Sequence, residues 1–453
     1  TNRYFNPQND NDESDIKHIV WAIIDPDIDF FITRDEKILS RSNEIFESYN
    51  LSIQHPIDMV LHIHEYLYFD DYKNMRLAGT NIEQRKVKSG EQNALADNFR
   101  YSQSGEKKSI FLSKIRPLLI DRENLAAYVV ENRDNEKLAF FICDRSEKTE
   151  LKIPIFRVNE SALNDNLIRY LILRFVEISA DEKRYITRIT ENLLHDKILT
   201  VLQSDTFIRS EKSWMKLNLP IVGNTYEVGA LLERALQNDQ KAKVYYQIHT
   251  SLLNDESGYK NWEAMSEIER IFWPVKILNA NISTLTIPIN VDWAALWFDE
   301  GLAQNTLWGA KKERAFNREG VYYSTSTNKN YKTPGRIMWY VTKHKNHAGS
   351  ASIRACSRLD DIVIGTAKSL FRQFQHLGIY EWSDLYQLVD GDENKKITAF
   401  RFSDTQLLPH PVSYQRWKKV TQELRGAAPP IYSPSLMPKE IFEEIYKMAV
   451  IED

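Results

Sequence analysis

Two aspartates near the start of the chain have the types and spacing to share a cation. Asp15 lies in Asp15-Ile-Lys-His18, where the pattern places a helix start, and Asp35 ends the apolar run IDFFITRD, residues 28–35. In an open α/β sheet, sites gather outside the carboxyl ends of the strands, so Asp35 falls at the usual functional edge. Two carboxylates there suit a hard cation such as Mg²⁺ or Mn²⁺, with nucleic-acid phosphate completing the shell. Arg34 and Lys37 would steady that phosphate. The competing reading is simpler: an Asp at a helix start is most often a cap.

A second chemistry-bearing stretch is residues 309–345, with 9 Lys/Arg against 2 Asp/Glu, interleaved with Tyr322, Tyr323, Tyr331, Trp339 and Tyr340. Cations neutralise phosphates and aromatic faces stack on unpaired bases, so RNA contact is expected from Lys311, Lys312, Arg314, Arg318, Tyr322, Lys332 and Arg336. Alternatively the aromatics fill a core, which is the expectation for Tyr323 and Trp339, and the lysines are a solvated face. Other signals fail. His62-Ile-His64-Glu65 lies in a helix, where i and i+2 point apart. Asp390-Gly-Asp392-Glu-Asn394 starts like a calcium loop, but Lys395 replaces the needed glycine, so it reads as a turn. No phosphate-loop, dinucleotide or serine-hydrolase motif is present.

The elements that must position these residues come in three textures. Residues 1–71 hold 15 Asp/Glu against 5 Lys/Arg, although the whole chain of 453 residues is only −4. That is either a solvated face or an acidic, metal-binding end on a mildly basic body. Residues 15–72 alternate helix and apolar run, which predicts a parallel sheet. Residues 79–109 carry few aliphatics and several Gly and Ser, as a linker would. Strands follow at Leu138–Cys143, Leu151–Val158 and Tyr185–Thr190, a long helix near Asp165–Ala180, another near Leu193–Gln203, and a hairpin-like end at Phe207–Leu219. Residues 224–275 read as helical. Short strands at Thr284–Pro288, Gly320–Thr325, Ile337–Val341, Ile353–Leu359 and Ile397–Phe402 precede a helix at Pro438–Val450. Cys143 and Cys356 make neither a disulfide framework nor a zinc site, no apolar run reaches ~18 residues, and a cytoplasmic setting without membrane contact is expected. The first residue is Thr1, so a start further upstream is expected as well.

Three resemblances attach to these segments. Asp12–Asp58 resembles the second half of a PIN-domain ribonuclease, with Asp15 opening a helix, the strand ending in Thr33-Arg34-Asp35, and Leu51–Pro56 after it. That likeness implies metal held by Asp15 and Asp35, with the family's leading Asp and Glu lying before this chain's first residue. Residues 110–222 resemble a GNAT acetyltransferase. The family's pyrophosphate loop, [QR]-x-x-G-x-[GA], corresponds to Arg157, Val158, Asn159, Glu160, Ser161 and Ala162. Glu160 stands at the first glycine, where a Cβ and a negative charge oppose acetyl-CoA, and the family's frequent tyrosine acid is missing where Gln203 lies. Residues 277–425 resemble ASCH/PUA-like domains through Gly309-Ala-Lys-Lys312-Glu313-Arg314 and the strand Val321–Ser324.

The expected architecture is therefore a mixed α/β and α+β multidomain chain. It comprises a partial PIN-like parallel α/β unit at 1–78, a linker at 79–109, a GNAT-like unit at 110–222, a helical connector at 223–276, a PUA-like β-barrel at 277–425, and a C-terminal helix at 426–453. The resemblances imply metal-dependent RNA cleavage by the intact parent, of toxin or defence type, with tRNA or another structured RNA as target and an antitoxin or defence protein as partner. An acetyl-CoA-dependent N-acetyltransferase and a non-enzymatic RNA-binding regulator are the alternatives.

Overall fold

Short apolar runs, each followed by an amphipathic stretch, set the fold of the beginning of the chain. The computed structural model describes residues 10–25, 28, 30–49, 51–67, 75–76, 82–121, 123–159, 165–237, 245, 261–298, 318–328, 330–344, 349–377 and 380–450. They fall into two units. One takes the chain up to 75, with 83–146 and 154–162; the other takes 76–82, 147–153 and 163 onward. No helix among the described residues is long and apolar enough to cross a membrane.

The first unit opens with α1 (Asp10–Ile24), β1 (Phe30–Ile32), α2 (Glu36–Leu39), α3 (Ser42–Tyr49), β2 (Ser52–Gln54) and α4 (Pro56–Leu67). β1 and β2 pair in parallel, from Phe30 beside Ser52 to Ile32 beside Gln54. Parallel pairing needs a crossover connection, and α2 and α3 supply it. Ile19, Ala22, Ile38, Ile45, Leu51 and Ile53 form the small core beneath. The expected alternation is present, with one correction. α1 begins at Asp10, so Asp15 lies inside the helix rather than at its start.

The 79–109 stretch, expected to be a linker, is folded wherever it is described. After β3 (Met75–Arg76), β4 (Glu83–Lys86) joins β5 (Leu125–Glu131), which pairs antiparallel with β6 (Lys137–Asp144). α5 (Gln92–Phe99) and α6 (Lys108–Ile120) cover them, burying Leu95, Phe99, Phe111, Phe140 and Ile142 together. A buried charge needs a partner, and Arg85 has two: Glu131 at 2.6 Å and Glu91 at 2.7 Å. The pairing partner lies 46 residues downstream, which is why the segment's own composition suggests a linker.

The second unit starts with the first half of β7 (Glu150–Val158), followed by α7 (Asp165–Asp181), β8 (Ile186–Ile189), α8 (Asp196–Ser204), β9 (Ile208–Ser210) and β10 (Ser213–Leu217). β7 and β8 are parallel over Glu150–Ile153 and Ile186–Ile189, and β10 runs antiparallel to both β8 and β9. The expected connector is core instead. After β11 (Val222–Gly223), α9 (Thr225–Gln237) and α10 (Trp262–Ile271) bury Val228, Leu232 and Ile268 against Met215 and Leu217 of β10. β12 (Lys276–Ile277) then pairs in parallel with β11.

The remaining strands are β13 (Thr284–Ile289), β14 (Gly320–Ser324), β15 (Gly335–Val341), β16 (Ser352–Thr366), β17 (Lys396–Ser413) and β18 (Ser435–Met437). They make one sheet in the order β14-β17-β16-β15-β13-β18, with β13 and β15 parallel. Three register shifts between β16 and β17 mark bulges, and bulges bend and twist a sheet. The roll carries the β14 edge back toward β13, where the Tyr322 hydroxyl donates to the Pro288 carbonyl at 2.8 Å. Inside the roll, Trp297 meets Phe402 with ring centroids 4.3 Å apart, and Trp339 is fully buried. A side chain at Gly320 would enter the Phe402 ring, so only glycine lets β14 lie this close. Among the described residues the sheet is rolled but not closed by backbone pairing, so the expected barrel is reached only as an open sheet. α11 (Val291–Trp297), α12 (Ala367–Phe374), α13 (Trp382–Leu388), α14 (Tyr414–Arg425) and α15 (Lys439–Val450) pack around it.

Candidate functional site

The acidic pair is the first place to test. Asp35 adopts an extended backbone and caps α2, its Oδ1 accepting from the amides of Lys37 at 2.7 Å and Ile38 at 3.4 Å. A capping carboxylate satisfies helix-end donors that otherwise have no partner. Arg34 and Lys37 are exposed, and Glu36 pairs with Arg116 at 2.6 Å. No group of three or more His, Cys, Asp or Glu side chains that could hold a metal comes together among the described residues. Asp35 is thus engaged as a helix cap, and Asp15 lies within α1.

Of the expected acetyl-CoA loop, the first three residues are described. Arg157 is fully buried in the first unit, its guanidinium held by Glu106 through two contacts of 3.1 Å and lying 4.5 Å over the Tyr101 ring. Val158 is buried, and the Asn159 amide donates to the Leu138 carbonyl at 2.9 Å. Glu160, Ser161 and Ala162 lie outside the described residues. The Arg157 side chain is thus engaged in a buried ion pair with Glu106.

The basic stretch divides sharply. Lys311, Lys312 and Arg314 lie outside the described residues, and Lys332 is exposed. Arg336 is buried, bonded to Glu269 and to the Ile277 carbonyl, with the Phe442 ring 4.2 Å away. Arg318 is buried between Asp205 and Asp404. Tyr322 bonds to Pro288, lies edge-on to Trp339 at 5.6 Å, and has its phenol pushed up to about 12 by burial. These three are corrections: each faces the interior, where its polar group already has a protein partner. Tyr323 and Trp339 are core residues, as expected.

Arg318 belongs to a charge cluster that no local pattern announces. Its Nη1 lies 2.7 Å from Asp205, and its Nε bonds to Asp404. Lys216 donates to the Asp205 carbonyl at 3.0 Å and to the Thr206 hydroxyl, and Trp273 Nε1 donates to the Asp404 carbonyl at 3.3 Å. Burial, reinforced by the Arg318 charge, lowers the Lys216 ammonium to about 7. Burial works against ionised Asp404 too, but Arg318 and Lys216 overcome it and hold its carboxyl below the ordinary range. Nearby, burial and the Asp404 charge push Asp360 up to about 6. The cluster fastens the β9–β10 hairpin region to the rolled sheet within the second unit. With residues 205, 216, 318 and 404 so far apart in sequence, spacing alone carried no signal of it.

No protein-family model matches this sequence, and no curated protein matches it. Among solved structures, the chain is similar to an ASCH protein from Zymomonas mobilis, with 17% identity over 36% of this chain and 94% of that one, at a TM-score of 0.27. It is also similar to a spermidine N-acetyltransferase from Vibrio cholerae solved with CoA and spermine, with 10% identity over 30% of this chain and 95% of that one, at a TM-score of 0.26. These are distant likenesses of parts of the chain.

Proposed function

We propose that this chain binds RNA through the rolled sheet of its second unit, with the preceding α+β part acting as scaffold. One observation carries the reading. Residues 320–359 contain no Asp or Glu, yet they carry seven Lys/Arg, and they run through β14, β15 and most of β16. Arg336 and Arg358 turn inward to Glu269 and Glu267. Lys332 and Lys343 are left on the exposed side. Most of this segment is buried sheet, and the absence of carboxylates leaves its exposed lysines free to attract a polyanion without repulsion from acids of the same segment. Acetyl transfer is the second reading, and it is disfavoured by Glu160, which puts a side chain and a negative charge where the acetyl-CoA loop needs glycine. Metal-dependent cleavage at Asp15 and Asp35 does not follow from a carboxylate that serves as a helix cap. Titration of a labelled single-stranded RNA by the intact chain tests the proposal. Binding that weakens steeply between 50 and 300 mM salt supports it; no binding at the lower salt overturns it.

A further inference from the structure

A second carboxylate-free stretch, residues 405–422, carries Arg416, Lys418 and Lys419, and the fold brings it against the first. Ser352 of β16 pairs with Ser413 of β17, and the Tyr414 amide donates to the Ala351 carbonyl at 2.9 Å. The Tyr414 and Tyr340 rings meet at 6.0 Å. The start of α14 is therefore fixed beside the end of β15 and the turn after it, where Lys343 is exposed. Two segments that lack acids for separate stretches of sequence become neighbours at one corner of the rolled sheet.

The geometry points to this corner as a phosphate-backbone contact surface for RNA, an inference that rests on the function proposed above and names its location. Three features agree. Arg416, Lys418 and Lys419 are exposed on a helix that buries only Trp417, Val420 and Thr421. The amino end of α14, capped by Ser413, turns the positive end of the helix dipole toward the same corner. Of the acids nearby, Glu440 pairs with Arg425 at 3.3 Å at the far end of α14, and Glu423 reaches back to Lys419 only as an exposed pair at 4.0 Å, which leaves Arg416 and Lys418 at the amino end without an acid of that helix beside them. At 1.5 Å per residue, Arg425 is roughly 14 Å along the helix from Arg416. Charge complementarity at the first turns therefore selects a polyanion, and the cations fan across the exposed half of α14, with Arg416 and Lys419 neighbours three residues apart and Lys418 pointing apart from Arg416.

The test compares the intact chain with Arg416→Ala/Lys418→Ala/Lys419→Ala and with a control, Lys148→Ala/Lys183→Ala/Lys212→Ala, which removes three exposed charges elsewhere in the second unit. RNA affinity is measured against salt by fluorescence anisotropy. Loss of three phosphate contacts should flatten the log–log salt slope by about 2 and weaken binding about tenfold or more at low salt. The control should change neither. Circular dichroism checks folding; should the triple variant misfold, Lys418→Glu alone replaces it and should weaken binding severalfold. An unchanged slope, or an equal loss in the control, overturns the corner while leaving RNA binding by the chain intact. Wild-type protein that binds anionic vesicles or a poly-glutamate peptide but no RNA overturns both.

Discussion

Lys216 offers the sharpest stability test, because its ammonium is buried with a folded pKa of about 7 against an ordinary 10.5. Burial is the main cause, with the Arg318 charge beside it adding to the effect. A lowered lysine pKa means that the unfolded chain binds more protons between those two values. The contribution of Lys216 to stability is thus most favourable above pH 10.5 and falls away as pH drops to 7. Each pH unit in that window is worth up to about 1.4 kcal/mol, and the whole span about 5 kcal/mol. Lys216→Met removes the titration. It also leaves the Asp205 carbonyl and Thr206 hydroxyl without this donor, a loss of about 1–3 kcal/mol that does not vary with pH. Urea denaturation of both proteins between pH 6.5 and 9.5 should show the variant gaining relative stability as pH falls, most steeply above pH 8. Parallel pH profiles would refute the assignment of a neutral lysine to this cluster.

Asp360→Asn should stabilise the protein above pH 6, by up to about 3 kcal/mol, and have little effect below pH 4, since the raised Asp360 pKa makes its charge costly only at higher pH. Melting temperatures at pH 8 and pH 4 check this, and equal shifts at both would contradict it. Arg157→Met strands the buried Glu106 carboxylate and should cost about 3–5 kcal/mol in urea denaturation; a loss below 1 kcal/mol would show the pair to be dispensable. Asp35→Ala removes the α2 cap and should cost about 1 kcal/mol. Calorimetry with Mn²⁺ should find no micromolar site for this variant to abolish, and finding one would restore the metal-site reading.

How much of this was legible in the sequence depended on where each residue's partner lies. β6, β7 and α7 were readable to within a residue or two, because their apolar runs and periodicity are local. α14 was missed because only Trp417, Val420 and Thr421 of its twelve residues are buried, too few to set a helical stripe. The 79–109 stretch looked like a linker because its buried Arg85 depends on Glu131, far along the chain. Arg318 and Arg336 have the composition of a phosphate-binding patch. Their carboxylate partners, Asp404 and Glu269, lie 86 and 67 residues away, and only the fold reveals them. Asp35 follows the carboxyl end of β1, as read from the apolar run, and its Oδ1 is taken up by the amides of Lys37 and Ile38, a local pattern that the sequence offered equally. The Asp390 turn was readable throughout: Asp390 and Gly391 take positive φ, and Lys395 bonds to Asp390 at 2.9 Å.

The most direct test of RNA binding by the rolled sheet is ultraviolet cross-linking of a uridine-rich RNA to the intact protein, with the attached peptides identified by mass spectrometry. Cross-links should concentrate in peptides covering residues 332–358 and 409–425, with Tyr414 among the modified side chains. Cross-links confined to the first unit, or spread evenly over exposed lysines throughout the chain, would contradict the account.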